Sequence, residues 1–215
     1  MGEVFHPLRG DRLLDPILER AARVGAMRFQ RLQTRLDGPI YIEPRVFADE
    51  RGFFSETYRH NEFAELGIAE PMVQDNHSRS GKGIVRGMHF QIGDGAAKLV
   101  RCGRGAIVDV MVDVRVGSPT FGEWEAFELS DENHRMVYCP VGFAHGFCVT
   151  SEIADVFYKQ DHYYADGTER GIAYNDPDVA IEWPLPTDEL IPSERDATAP
   201  LLRDIKDDLP FRYQG

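Results

Sequence analysis

Two histidines and a lysine carry the chemistry most easily read in this chain. His89 lies in Arg86-Gly87-Met88-His89-Phe90, Lys98 follows at short range, and His145 sits in Pro140-Val141-Gly142-Phe143-Ala144-His145-Gly146-Phe147. Both runs are apolar and strand-like, and successive side chains of a strand point to opposite faces of a sheet. A histidine at the centre of such a run therefore points into a core or into the cavity of a barrel. In a cavity an imidazole can move protons near neutral pH or ligate a metal, and a cation there can stabilise charge developing on a substrate oxygen. For a lone histidine the packing alternative would prevail.

Positioning such groups needs a framework, and from Arg28 to about Trp183 the sequence reads mostly as strand. Gly105 to Val114 is the clearest segment, with Val108, Val110, Val112 and Val114 on one face and Asp109, Met111 and Asp113 on the other. Turn residues punctuate the chain at Gly81-Lys82-Gly83, Gly93-Asp94-Gly95, Gly117-Ser118-Pro119 and Asn175-Asp176-Pro177. Many short strands at such spacing predict a sandwich or barrel. Residues 1–27 read as an N-terminal extension in which Asp15-Pro16 opens a short amphipathic helix. Residues 28–215 read as a single domain ending in a helical segment over Ser193–Asp204, which Pro200 should end or kink.

Composition narrows the function classes. A chain of 215 residues with 42% hydrophobic content can bury a full core as one domain. A formal net charge of -12 argues against nonspecific binding to nucleic acid or to an anionic membrane, so an anionic ligand must meet a local cationic pocket. Cys102, Cys139 and Cys148 lack the spacing of a zinc site and read as core thiols of a cytoplasmic protein. No apolar stretch approaches the length of a membrane-spanning helix, and the N-terminus lacks a basic segment followed by an apolar secretory core.

Pro140-x-Gly142-x-x-His145 resembles the second short motif of the cupin barrels, which weakens the packing reading of the histidines. In metal-binding cupins that motif supplies one ligand, and an earlier His-x-His and a following Glu supply the rest. This chain has His89-Phe90-Gln91 instead. Two histidines fall short of the usual ligand count for a tightly held transition metal, so the expectation is acid–base work without metal or organic cofactor.

A longer series of blocks resembles the dTDP-4-dehydrorhamnose 3,5-epimerase family. It includes the stretch from Phe47 through Glu50-Arg51-Gly52 to Glu56, Val73-Gln74-Asp75-Asn76-His77-Ser78, the His89 and His145 blocks, and Lys98-Leu99-Val100-Arg101. It continues through Asp155-Val156-Phe157-Tyr158-Lys159, Glu169-Arg170-Gly171-Ile172, Asn175-Asp176-Pro177 and Ser193-Glu194-Arg195-Asp196, ending at Leu202. The resemblance implies a mainly β, cupin-like jelly-roll barrel with short flanking helices. It also implies a homodimer with strand exchange, acting on a dTDP-linked 4-keto-6-deoxyhexose at C3, C5 or both.

In that family the residue matching His89 removes a sugar C–H proton, Tyr158 returns one from the opposite face, Lys98 lies near the C4 oxygen, and Asp196 partners the histidine. Nucleotide and diphosphate contacts fall to Arg51, Glu56, Gln74, Asn76, Arg86, His145, Glu169 and Arg195, with Arg51 reaching the neighbouring subunit's site. The chemistry suits these types: loss of a proton beside a ketone gives an enolate that a cation stabilises, and inversion needs base and acid on different walls. The residues alone leave plainer roles open. Lys98 also reads as a solvated strand-end lysine, Tyr158 as a core aromatic, and Asp196 as a capping acid three residues after Ser193. A noncatalytic sugar-nucleotide-binding sandwich and a metal-dependent cupin are the rival functions.

Overall fold

The structure is a computed structural model and describes residues 28–165 and 167–214. The expected helix after Asp15-Pro16 lies outside the described residues. Thirteen strands follow in order: β1 (Phe29–Leu32), β2 (Ile40–Pro44), β3 (Val46–Asp49), β4 (Gly52–Ser55), β5 (Gln74–Gly81), β6 (Val85–Gln91), β7 (Lys98–Arg104), β8 (Ala106–Asp113), β9 (Trp124–Ser130), β10 (Met136–Cys139), β11 (Phe143–Val149), β12 (Ile153–Gln160) and β13 (Glu169–Gly171). Short helices α1 (His60–Glu65), α2 (Glu194–Ala197) and α3 (Leu202–Ile205) flank them. One sheet has the order β1-β2-β10-β7-β12-β5, a second the order β13-β6-β11-β8-β9, and β3-β4 form a separate hairpin. This is the mainly β jelly roll with short helices that the sequence predicts. Among the described residues no helix is long and apolar enough to cross a membrane.

Between the sheets, Val100, Met111, Val137, Phe147 and Val156 belong to one buried cluster. The alternation expected of the Gly105–Val114 segment holds, but both of its faces are buried. Ile107 and Met111 join the inter-sheet core. Val110, Val112 and Val114 pack instead with Ile172, Val179, Leu202, Leu209 and Phe211, all from the chain after β13. The C-terminal segment thus covers the outer face of the five-stranded sheet.

The glycine turns fall between β5 and β6, β6 and β7, and β8 and β9 as predicted. Strand structure stops at Gly171, however, and does not reach Trp183. Asp176, in the Asn175-Asp176-Pro177 turn, redirects the backbone by accepting the Asp178 N–H (2.9 Å) and the Leu202 N–H (2.7 Å) on its two oxygens. The predicted Ser193–Asp204 helix is two single turns, α2 and α3, parted around Pro200, which has no N–H to continue a helix. The Pro200 carbonyl accepts the Ala173 N–H (2.8 Å), tying the break to the chain just after β13, so that residues 172–211 form a strap over the sheet.

Asp176 is 1% exposed and bonds to the segment that carries Asp196. Asp176→Ala leaves buried donors without acceptors, and the expected cost is roughly 2–3 kcal/mol of stability. Urea denaturation of the variant beside the parent measures it.

Candidate active site

Arg86 and His89 are three positions apart, a spacing that puts side chains on opposite faces of a regular strand. Both nevertheless line one cavity. The β6–β11 register explains it: His145 pairs with His89 and Phe147 with Arg86, so two steps on β11 match three on β6. That bulge restores the common face. It packs on Gly146 so closely that a Cβ at Gly87 would lie 2.5 Å from the Gly146 Cα, and one at Gly146 would lie 2.6 Å from the Met88 Sδ. Gly87 also has φ +143°, a conformation that side chains rarely tolerate.

The cavity measures about 600 Å³ and opens between the two sheets. His89 and His145, on β6 and β11 of the five-stranded sheet, are Cα partners. Lys98 and Tyr158 stand on β7 and β12 of the six-stranded sheet and line the same space. Imidazole and phenol therefore come from different walls.

Asp196 satisfies both of its sequence readings in part. Ser193 caps α2 by accepting the Asp196 N–H (3.1 Å). The Asp196 carboxylate turns elsewhere: Oδ1 accepts from His89 Nε2 at 2.7 Å, and Oδ2 accepts the Gly87 N–H at 3.4 Å. With Nε2 committed as donor, His89 Nδ1 keeps its lone pair, and Glu169 Oε1 lies 3.9 Å from it. Glu169 in turn pairs with Arg195 at 2.6 Å. A second histidine–carboxylate pair lies beside the first, His145 Nε2 donating to Asp109 Oδ2 at 2.8 Å.

Burial tunes these groups in different directions. It pushes the Lys98 ammonium down, against the pull of Cys139, Glu169 and Asp109, which makes it a stronger proton and hydrogen-bond donor. It pushes the Asp109 carboxyl up, opposed by His145 and Lys98. Burial, then the charge of Glu169, raises the Tyr158 phenol, with Arg86 opposing, so the hydroxyl holds its proton at neutral pH. At Asp196 burial also acts upward, but the bond and charge of His89 and the Gly87 N–H outweigh it and hold the carboxyl below its ordinary value.

Eight of the twelve residues singled out from the sequence line the cavity: His89, Lys98, Tyr158, Asp196, Arg86, His145, Glu169 and Arg195. Gln74 and Asn76 join it through Gln160, a cavity-lining residue that accepts from both of their amides at 3.1 and 3.2 Å. Arg51 and Glu56 lie outside it. Arg51, at the β3–β4 turn, pairs with Asp49, and Glu56 pairs with Arg28 and Arg59. The sequence reading missed Gln160, Gln91, Asp109 and Tyr164. Strand alternation was the available signal for the first two, since Gln160 shares a face with Tyr158 and Gln91 with His89. Among the described residues no group of three or more His, Cys, Asp or Glu is placed to hold a metal ion.

The opposing forces on Asp196 give a titration test. Ionised Asp196 adds stability above its ordinary pKa, and that contribution is lost as pH falls through its lower folded value. In His89→Ala the burial remains while the imidazole's bond and charge are gone, so the Asp196 midpoint should rise. Carbon-13 NMR of the side-chain carboxyl follows it.

The chain matches the sequence model of the family described as dTDP-4-dehydrorhamnose 3,5-epimerase over residues 33–204. The enzyme of that name from Pseudomonas aeruginosa is 51% identical over 166 residues, covering 76% of this chain and 91% of its own. The Salmonella typhimurium enzyme is 49% identical over 176 residues, covering 80% and 94%. The crystal structure of dTDP-6-deoxy-D-glucose-3,5-epimerase from Legionella pneumophila, in complex with dTDP-4-keto-L-rhamnose, superposes with a TM-score of 0.84 at 46% identity. That match covers 87% of this chain and 100% of the Legionella chain. With the cupin-like jelly roll, the cavity between its sheets and these relatives in agreement, the chain belongs to the dTDP-4-dehydrorhamnose 3,5-epimerase family of isomerases.

Proposed function

We propose that this protein epimerises a dTDP-4-keto-6-deoxyhexose at C3 and C5, converting dTDP-4-dehydro-6-deoxyglucose to dTDP-4-dehydrorhamnose. The observation that carries the reading is the placement of His89 and Tyr158 on opposite walls of one cavity, with Lys98 beside them. His89 Nδ1 takes the proton from the carbon next to the C4 ketone, and the C–H electron pair moves into an enolate. The Lys98 ammonium stabilises the charge on the C4 oxygen. Asp196 holds the imidazole tautomer and stabilises the imidazolium that forms. Tyr158 then protonates the carbon from the opposite face, which inverts it; its phenolate regains a proton from solvent, and the His89 imidazolium releases its proton to solvent. Protein groups supply base, acid and enolate stabilisation, so the reaction as proposed calls for no metal or organic cofactor.

Arg86 and Arg195 offer guanidinium forks to the diphosphate, while Gln74, Asn76, His145 and Glu169 complete the nucleotide-sugar contacts. Arg51 is assigned to the site of a partner subunit in a strand-exchanged homodimer, and Glu56 to the nucleotide contacts. The β3–β4 hairpin belongs to neither large sheet and leaves Phe47, Phe53 and Phe54 exposed by 45%, 57% and 64%, as an arm that docks on a second copy would. Residues 28–215 act as one catalytic domain, with 1–27 appended to it. Three buried, unpaired cysteines suit a reducing, cytoplasmic setting.

Proton NMR in heavy water with dTDP-4-dehydro-6-deoxyglucose tests the activity: the C3 and C5 protons should exchange and dTDP-4-dehydrorhamnose should form. His89→Ala should slow exchange on the order of 10²–10⁴-fold while dTDP still binds. Tyr158→Phe should slow product formation yet leave solvent exchange in place, and product at the parent rate would remove Tyr158 from the mechanism.

The dimer reading has its own test. Neither Arg51→Ala nor His89→Ala chains should be active alone, whereas co-expressed mixed dimers should recover activity, because one of the two shared sites regains both residues. Mixed dimers without activity would place Arg51 outside the partner's site.

A further inference from the structure

Three side-chain amides meet at the cavity wall, and one backbone group orients them all. The Tyr164 N–H can only donate, and it donates to Gln74 at 2.8 Å, so the atom of Gln74 facing it is Oε1. The other end of Gln74 is therefore the NH2. It reaches Asn76 at 3.0 Å and Gln160 at 3.1 Å, and both contacted atoms must be oxygens. The Asn76 NH2 then donates to the same Gln160 Oε1 at 3.2 Å and to the Tyr158 carbonyl at 3.4 Å, which as a carbonyl can only accept. Every member of the set agrees.

Gln160 is left with its oxygen held twice and its NH2 without a hydrogen-bond partner among the described residues. Gln160 is 3% exposed and lines the cavity. On the β7–β12 ladder it is the Cα partner of Lys98, whose side chain lines the same cavity. Directly opposed residues have Cβ atoms roughly 4.5–5.5 Å apart, so the amide and the ammonium start side by side on one wall. An NH2 on a cavity-lining side chain with no protein acceptor among the described residues is free to donate to a ligand oxygen.

We infer that Gln160 is a further catalytic residue, whose amide NH2 donates to the C4 oxygen of the substrate beside Lys98, so that two donors meet the enolate. The inference rests on the epimerase reading above. A neutral amide holds its proton at every working pH, and its orientation is fixed before the ligand arrives. Such preorganisation stabilises charge without reorganisation during the reaction.

Two variants isolate the donor. Gln160→Glu keeps the length and an oxygen for Gln74 and Asn76 but loses the NH2, and Gln160→Met removes the donor without adding charge. Both should fold by circular dichroism; Gln160→Glu, which keeps an acceptor for both amides, should bind dTDP within about threefold of the parent and Gln160→Met more weakly, while in both kcat for C3 and C5 exchange falls on the order of 10²-fold, the usual effect of removing one such donor. If Gln160 only anchored Gln74, Asn76 and the Tyr164 loop, Gln160→Met, which adds no charge, would raise KM and leave kcat at saturating substrate unchanged. Parent-like kcat, within about threefold, in either variant overturns the inference and leaves the epimerase reading standing. A parent that exchanges neither proton overturns the epimerase reading, and the role of Gln160 falls with it.

Discussion

The backbone contact between Gly87 and Gly146 is the constraint on which the site depends. The β6 bulge brings two strands together at a point where neither residue has room for a Cβ. One extra residue there turns Arg86 and His89 onto the same face. It also frees the Gly87 N–H from the ladder to bond Asp196, whose other oxygen holds His89. Cation, imidazole and carboxylate are therefore placed by one local distortion, and a side chain at either glycine would push apart the strands carrying both histidines.

Two buried carboxylates stand behind two neighbouring imidazoles, and their surroundings pull them apart. Asp109 is fully buried, and its Oδ1 has no hydrogen-bond partner, so burial prevails and its carboxyl rises. Asp196 is less deeply buried and also receives the Gly87 N–H and the field of His89, and its carboxyl falls. The difference lies both in depth, which is greater at Asp109, and in the number of donors, which is greater at Asp196. Asp196 therefore presents a fixed anion to His89, whereas His145 sits over a carboxylate with less hold on its charge.

The cavity is the polar end of an otherwise apolar sandwich. Along β7 the inward positions run from Cys102 and Val100 to Lys98, and along β12 from Ala154 and Val156 to Tyr158 and Gln160. The hydrophobic part fixes the spacing between the sheets, and the polar part uses that spacing to hold groups apart on facing walls. Burial of the C-terminal strap on the outer face of the five-stranded sheet completes the frame, because that strap delivers Asp196.

Much of this was legible in the residues themselves. Glycine pairs marked two of the inter-strand turns and Gly117 with Pro119 a third, because their φ demands are local, and Pro200 marked the break in the C-terminal helix because it has no N–H to continue it. The alternation in Gly105–Val114 gave the strand but not what covers its valine face, since that depends on a segment from the far end of the chain. The motif blocks named His89, Lys98, Tyr158 and Asp196. Strand period alone would have set Arg86 and His89 on opposite faces, and only the register against β11 brings them together. Asp196 had two local readings, and the position of His89 across the fold chose between them. Gln160 carries no motif; its orientation is set by Gln74, which the Tyr164 backbone orients in turn. The sequence by itself determined the periodic and local features, whereas the tertiary structure decided which groups share a cavity and which way they face, because those depend on contacts between residues far apart in the chain.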